Sequence, residues 1–501
     1  MNIQEAKQEV IRTVKAYTAK NAEGEYLIPS QKQRPLLIIG PPGIGKTAIM
    51  EQAAAECGVN LISYTITHHT RQSAIGLPFL SHHSYGGREV TITEYSMSEI
   101  IAAVYDQIER SGVREGILFL DEINCVSETL APTMLQFLQY KTFGAHRLPD
   151  GFVIVTAGNP PQYNKSVREF DIVTLDRIRR IEVKEDLFVW KRYASEADVH
   201  GAILAYLEIR ADNFYSIRTD VENRYFVTAR GWEDLSRAMT TYESLGLPVT
   251  ENLIGEYLQD PEIARDFATY YELYCKYQNV YRIPDILSGK TCEEALSVGS
   301  APFDERLSLI GLLVDALRGE CAQYVQEQSV QKQIYEVLSL LPAAIRSGQG
   351  AAEALRGQIE SLAGTLAAKE EAKMIAPSQA HVIRTALAQL RELARELAVG
   401  ATGEGKKDFG LAKSWFEARE GRRQEGIVRL SDHLTNAFSF MARCFGEGQE
   451  MVIFLSQLSG DSRILQFLNE NGNEAYFRYN RLLLLDERRA QLTQDVMKLM
   501  P

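Results

Sequence analysis

The residues best suited to chemistry lie in three short stretches. The first is Gly40-Pro41-Pro42-Gly43-Ile44-Gly45-Lys46-Thr47-Ala48, which fits the spacing G-x-x-x-x-G-K-[ST]. Glycines there let backbone N–H groups turn inward around phosphate oxygens, and a helix opening at the lysine adds the positive end of its dipole. Lys46 would reach the outer phosphates, and the Thr47 hydroxyl would ligate magnesium. The second stretch is Asp121-Glu122, which follows the apolar run GILFL. Asp121 would hold a hydrated magnesium ion, and Glu122 would orient and deprotonate an attacking water. The third is Asn159 in FVIVTAGNPP. An amide at that point can touch both a γ-phosphate and the attacking water, while an Asn before Pro160 equally suits a turn.

Such groups need rigid elements to aim them. LLII before Gly40 reads as a buried parallel strand, and TAIMEQAAAECG after Lys46 reads as a helix ending at Gly58. GILFL and FVIVTAG are two further buried strands. Each delivers its polar residues at its C-terminal end, where open α/β sheets bind ligands.

The order GPPGIGKT, LFLDEIN, TAGNPP and LDRIRR resembles an AAA+ ATPase, and the run LQFLQYKTFGAHRLPDGFVIVTAGNP is similar to the MoxR-like branch of that group. The resemblance spans roughly Leu36 to Leu245. It implies ATP and Mg2+ as ligands, an oligomeric ring (a hexamer) with ATP between subunits, and a remodelled protein client. It also implies a partner or adaptor of the von Willebrand factor A type, with a metal-dependent adhesion site. By the same resemblance Asn159 stands at the sensor-1 position, and Arg177 at that of an arginine finger reaching the neighbouring subunit's γ-phosphate. Arg179 and Arg180 compete for the finger role. In a strand running through RIRRIEV, Arg177 and Arg179 would share one face and Arg180 the other. Arg230, in TARGWEDL, falls at the sensor-2 position that opens a lid helix. A cation in a helix's first turn opposes the dipole, a misfit that a phosphate would relieve.

Between Ile62 and Ser98 the chain departs from a minimal core of this type. GREVTITEY alternates as a strand and SYGGR is hairpin-turn chemistry, so an inserted hairpin is expected. In the MoxR-like branch such insertions face the central pore or partners. Four histidines, His68, His69, His82 and His83, lie here. Neighbours on a strand point to opposite faces, so each pair offers one ligand to a shared site, and an exposed polar loop is the expectation over a metal site.

A helical lid is expected over 185–248, with YSIRTDVENRYFVT as a loop or short hairpin inside it. Residues 249–501 read as helices without a chemical motif. Within them Ile383, Leu387, Leu390, Ala394 and Leu397 share one helix face and suit core packing. Breaks are expected at Gly348–Gly350 and over Gly400–Gly410. The tyrosines of TYYELYCKYQNVYRIP have no interleaved basic run, so packing or a partner surface is expected rather than base stacking.

Composition fits this picture. In 501 residues, hydrophobic types make up 45% and charged types 24%, a globular mix that allows two or three domains of about 100–200 residues. No apolar run reaches the ~20 residues of a membrane helix, and the polar start MNIQEAKQEV has no signal core, so a cytoplasmic location is expected. The six cysteines lie far apart without C-x-x-C spacing, and reduced thiols follow. The net charge of −12 argues against bulk nucleic-acid binding.

The expected architecture is therefore α/β: a P-loop NTPase (AAA+) parallel-sheet core over 1–184, a helical lid, and an all-α C-terminal region. The expected activity is Mg-dependent ATP hydrolysis. Two alternatives share the core, a nucleic-acid motor or clamp-loader-type ATPase and a non-hydrolysing ATP-binding switch. Glu122 and Arg177 count against the switch, which could lose both.

Overall fold

A computed structural model describes residues 1–68, 76–163, 167, 170–219, 223–290, 297–371, 375–400 and 405–481. The chain divides into two compact units, Met1–Val189 with Leu362–His381, and Trp190–Ser361 with the chain from Val382 onward.

The first unit is built as α1 (Ile3–Thr18), β1 (Leu36–Ile39), α2 (Lys46–Cys57), β2 (Asn60–Thr65), β3 (Pro78–Tyr85), β4 (Arg88–Tyr95), α3 (Glu99–Ser111), β5 (Gly116–Asp121), α4 (Ala131–Tyr140), β6 (Thr142–Phe143), β7 (His146–Arg147), β8 (Phe152–Gly158), α5 (Ile172–Leu175) and β9 (Arg179–Glu182). Five strands form one sheet in the order β2-β5-β8-β1-β9. Every pairing is parallel: Leu36 lies opposite Val155 on one side and Arg179 on the other, Ile117 lies opposite Val153, and Leu61 opposite Ile117. Such strands read as unbroken apolar runs because helices cover both faces. On one face Leu37, Leu118, Leu120 and Ile154 pack with Ile100, Ile101 and Val104 of α3 and with Met134 and Phe137 of α4. On the other, α1 and α2 pack together, α1 against β8 and α2 against β5. The order puts the C-terminal ends of β5, β8 and β1 side by side, and those ends carry the three chemical stretches.

The expected hairpin is present. β3 and β4 pair antiparallel from Pro78–Tyr95 to Tyr85–Arg88, and Gly86 and Gly87 supply the two positive φ angles of the turn. His82 Nδ1 lies 3.2 Å from Thr91 Oγ1, and His83 Nε2 lies 3.1 Å from a Glu94 oxygen. His69 lies outside the described residues. Among the described residues no three His, Cys, Asp or Glu side chains group to hold a metal ion.

One buried cation in this unit went unread in the sequence. Lys141 ends α4 in the left-handed conformation (φ 57°) and is 2% exposed. Its ammonium donates to Gln33 Oε1 (2.9 Å) and to the Phe152 carbonyl (3.2 Å). Burial, only partly opposed by Asp150, holds its pKa down at about 8. The folded state therefore disfavours the proton that the unfolded chain keeps up to the ordinary value of 10.5. The resulting penalty is full below pH 8 and is relieved as pH rises from about 8 to 10.5, a change of about 3 kcal/mol in favour of folding. The expected result is that the urea midpoint of the wild type rises across this window relative to that of Lys141→Met. Parallel pH profiles for the two proteins would refute the assignment.

Among the described residues, the second unit is helical apart from one short hairpin. In order come α6 (Leu187–Glu196, begun in the first unit), α7 (Gly201–Ile209), β10 (Ser216–Thr219), β11 (Arg224–Val227), α8 (Ala229–Ser244), α9 (Glu251–Tyr257), α10 (Pro261–Tyr281), α11 (Ile283–Leu287), α12 (Phe303–Arg346), α13 (Ala351–Glu371, in the first unit from Leu362), α14 (Pro377–Gly400, in the first unit as far as His381), α15 (Gly405–Phe445), α16 (Gln449–Gly460) and α17 (Ser462–Asn471). Its aromatic centre sets Trp232, Tyr206 and Phe267 edge to face or tilted at 5.1–5.8 Å. Tyr270, Tyr271, Tyr274 and Tyr281 are buried, which is the packing role expected of the tyrosine-rich segment. Gly348, at φ 95°, lies in the expected break between α12 and α13. Of the break expected over Gly400–Gly410, residues 401–404 lie outside the described residues, and the part from Gly405 to Gly410 is helical, because α15 starts at Gly405. Helix propensity of single glycines is outweighed here by a 41-residue helix whose Leu430, Leu434, Ala437 and Phe438 are buried.

No helix among the described residues is long and apolar enough to cross a membrane.

Candidate nucleotide site

The loop between β1 and α2 is shaped by its glycines. Gly43 and Gly45 have φ of 74° and 93°, a region that disfavours other residues, and Gly45 caps α2. Lys46, the first residue of α2, is 8% exposed. Its ammonium curls back over the loop and donates to the carbonyls of Gly40 and Pro41 (both 2.8 Å) and to Asn159 Oδ1 (2.9 Å). The next residue, Thr47, donates from Oγ1 to Asp121 Oδ2 at 3.2 Å. Four of the expected residues, Lys46, Thr47, Asp121 and Asn159, thus meet at the ends of three adjacent strands, although 113 positions separate Lys46 from Asn159.

Glu122 follows Asp121 in the left-handed conformation, with φ 56°. That costs a non-glycine residue roughly 1 kcal/mol or more, and the strain concentrates at functional sites. Asp121 Oδ1 accepts the Glu122 N–H at 2.9 Å and supports the turn. The Glu122 carboxylate accepts a 2.9 Å hydrogen bond from Thr67 Oγ1, just beyond β2. Sequence reasoning missed Thr67. The only signal was a hydroxyl directly after a strand that neighbours the acidic one. It also missed Asn124, whose Nδ2 donates to the Asn159 carbonyl at 2.7 Å.

The three arginines differ from the expectation. Arg177 is not on a strand: it follows the single-turn helix α5, and its N–H donates to the Thr174 carbonyl at 3.0 Å. The strand begins only at Arg179, so the shared face expected of Arg177 and Arg179 does not exist. Asp171 caps α5 and holds the chain in a turn until Leu36 can pair with Arg179. Arg179 is spent on α1, with an ion pair to Glu9 and a 3.0 Å bond to Thr13 Oγ1. Arg180 pairs with Glu182. Arg177 is exposed and donates to Gln139 Oε1 at 2.7 Å. It lines a cavity of about 310 Å³ between α4 and α5, beside Val173, which is 57% exposed.

Arg230 belongs to the second unit. It is exposed in the first turn of α8, whose N-cap Thr228 accepts the Gly231 N–H.

A glycine-built loop, a helix N-terminus, a buried lysine and a hydroxyl–carboxylate pair make a donor set that fits a polyphosphate with its divalent cation. Residues 36–177 match the family model described as "ATPase family associated with various cellular activities (AAA)", so this part of the chain is an AAA ATPase domain. Nucleotide binding goes with that family. Among solved structures the chain is similar to PCH-2 of C. elegans, at 13% identity and a TM-score of 0.27, over 52% of this chain and 68% of that one. No curated protein matches the chain.

Proposed function

We propose that the protein is an ATP hydrolase of the AAA+ type and MoxR-like branch, acting as a homo-oligomeric ring, a hexamer, that remodels or activates a protein client. The observation that carries the hydrolase reading is the hydrogen-bonded convergence of Lys46, Thr47, Asp121 and Asn159 beside Glu122. The branch, the ring and a von Willebrand factor A-type partner rest on the motif order and on the inserted β3–β4 hairpin. In this reading 1–184 is the nucleotide core, 185–248 the lid, and 249–501 a helical region carried by it. The setting is cytoplasmic.

The chemistry follows from the side chains. Main-chain N–H groups from Gly43 to Ala48 receive the phosphates, and Lys46 exchanges its loop carbonyls for phosphate oxygens. Thr47 and Asp121 would hold Mg2+, which would supply positive charge against the phosphates. Asn159 keeps one side of the site polar for the attacking water. Glu122 takes the water's proton, and Arg177 from the neighbouring subunit meets the charge that spreads over the γ-phosphoryl group. Arg230, by the resemblance, takes the sensor-2 role toward the nucleotide.

Lys46→Ala is expected to abolish measurable nucleotide binding, since the loop loses the cation aimed at the outer phosphates. Titration with a fluorescent ATP analogue reads this directly. Unchanged affinity would overturn the phosphate-loop assignment.

A further inference from the structure

We infer that Asn124 is a positioning residue for the sensor amide of Asn159, an inference that rests on the ATP-hydrolase reading above. Asn124 lies in the single turn Ile123–Cys125 that follows Glu122. It is a polar side chain only 5% exposed, and it turns away from solvent toward the end of β8. Sheet pairing stops short of Asn159. The last register pair between β1 and β8 is Ile39 with Gly158, and between β5 and β8 it is Leu120 with Thr156. The Asn159 carbonyl is therefore past the ladder, and Asn124 Nδ2 claims it at 2.7 Å. Through its side chain the same residue meets the phosphate loop: Asn159 Oδ1 accepts the Lys46 ammonium at 2.9 Å.

The neighbouring backbone is cut to admit this side chain. A Cβ at Gly158 would come within 2.4 Å of Asn124 Oδ1, so glycine is required there for Asn124 to fit. Past the left-handed backbone of Glu122, the glutamate accepts from Thr67 while Asn124 donates to Asn159. One turn thus carries the acid assigned to the water and, two residues on, the amide that holds Asn159. Asn124 acts through Asn159, and through it the spacing between the acidic strand end and the lysine loop is set. A displacement of about 1 Å at a reacting site can cost about 10²-fold in rate.

The test is steady-state ATP hydrolysis by the full chain. Asn124→Ala is expected to lower kcat about 10- to 100-fold while KM stays within about threefold, because the loop and Lys46 are untouched. Asn124→Leu fills nearly the same volume without the donor and is expected to behave alike, which separates the lost hydrogen bond from a lost packing volume. Asn159→Ala removes the amide that Asn124 positions. Adding Asn124→Ala to it is therefore expected to produce no further loss. Wild-type kcat in either folded Asn124 variant overturns the inference, and so do multiplicative losses in the double variant. A wild-type chain that binds ATP but never hydrolyses it overturns the hydrolase reading and the inference together, whereas active wild type with indifferent Asn124 variants removes the inference alone.

Discussion

Arg177→Ala is expected to leave ATP binding intact and to lower hydrolysis by ~10³–10⁵, the usual cost of losing an arginine that meets the transferring phosphoryl group. The choice of Arg177 over its neighbours follows from what each side chain is doing. Arg179 is half-buried against α1, held by Glu9 and Thr13, and Arg180 is paired with Glu182. Arg177 stands outside the sheet on an exposed turn, bonded to Gln139, with the exposed Ile172 and Val173 beside it. A side chain placed this way can serve a pocket in another copy of the chain without dismantling its own fold. The decisive measurement mixes two inactive proteins. A Lys46→Ala subunit keeps the finger and lacks a working pocket, and an Arg177→Ala subunit has the reverse defects. Mixed rings are expected to recover part of the ATPase activity where an intact pocket meets an intact finger. Mixed rings without recovery would refute action in trans. Loss in Arg180→Ala with none in Arg177→Ala would move the role to Arg180.

Glu122→Gln is expected to retain ATP and to lower single-turnover hydrolysis by ~10²–10⁴, the range for removing a positioned general base. The amide keeps the size of the carboxylate, and its carbonyl oxygen can still accept the Thr67 hydroxyl that now binds Glu122. The turn and the Thr47–Asp121 pair are then undisturbed. What disappears is the ability to take a proton. Rapid-quench hydrolysis together with filter retention of labelled ATP separates the two properties. Wild-type turnover would place the base elsewhere, and loss of retention would mean that Glu122 holds the loop together instead.

The sequence by itself determined the elements whose cause is local. LLII, GILFL and FVIVTAG are strands because unbroken apolar runs suit a sheet covered on both faces, and the glycines at 43 and 45 fix the loop because only they accept its positive φ angles. The order of the chemical residues, and with it the AAA ATPase domain, was legible for the same reason. Contacts between distant segments were decided only by the tertiary structure. The order β2-β5-β8-β1-β9 puts Asn159 beside Lys46, a pairing that no spacing rule encodes. Period-two alternation placed Arg177 and Arg179 on one face, but α5 and its Asp171 cap delay the strand by two residues. Gly405 to Gly410 read as a loop by propensity, yet burial along a long helix outweighs the cost of a few glycines. Thr67, Asn124 and Lys141 were invisible because an ordinary polar residue gains its meaning from its partner, and each partner lies on another element: Glu122, Asn159, and Gln33 with Phe152.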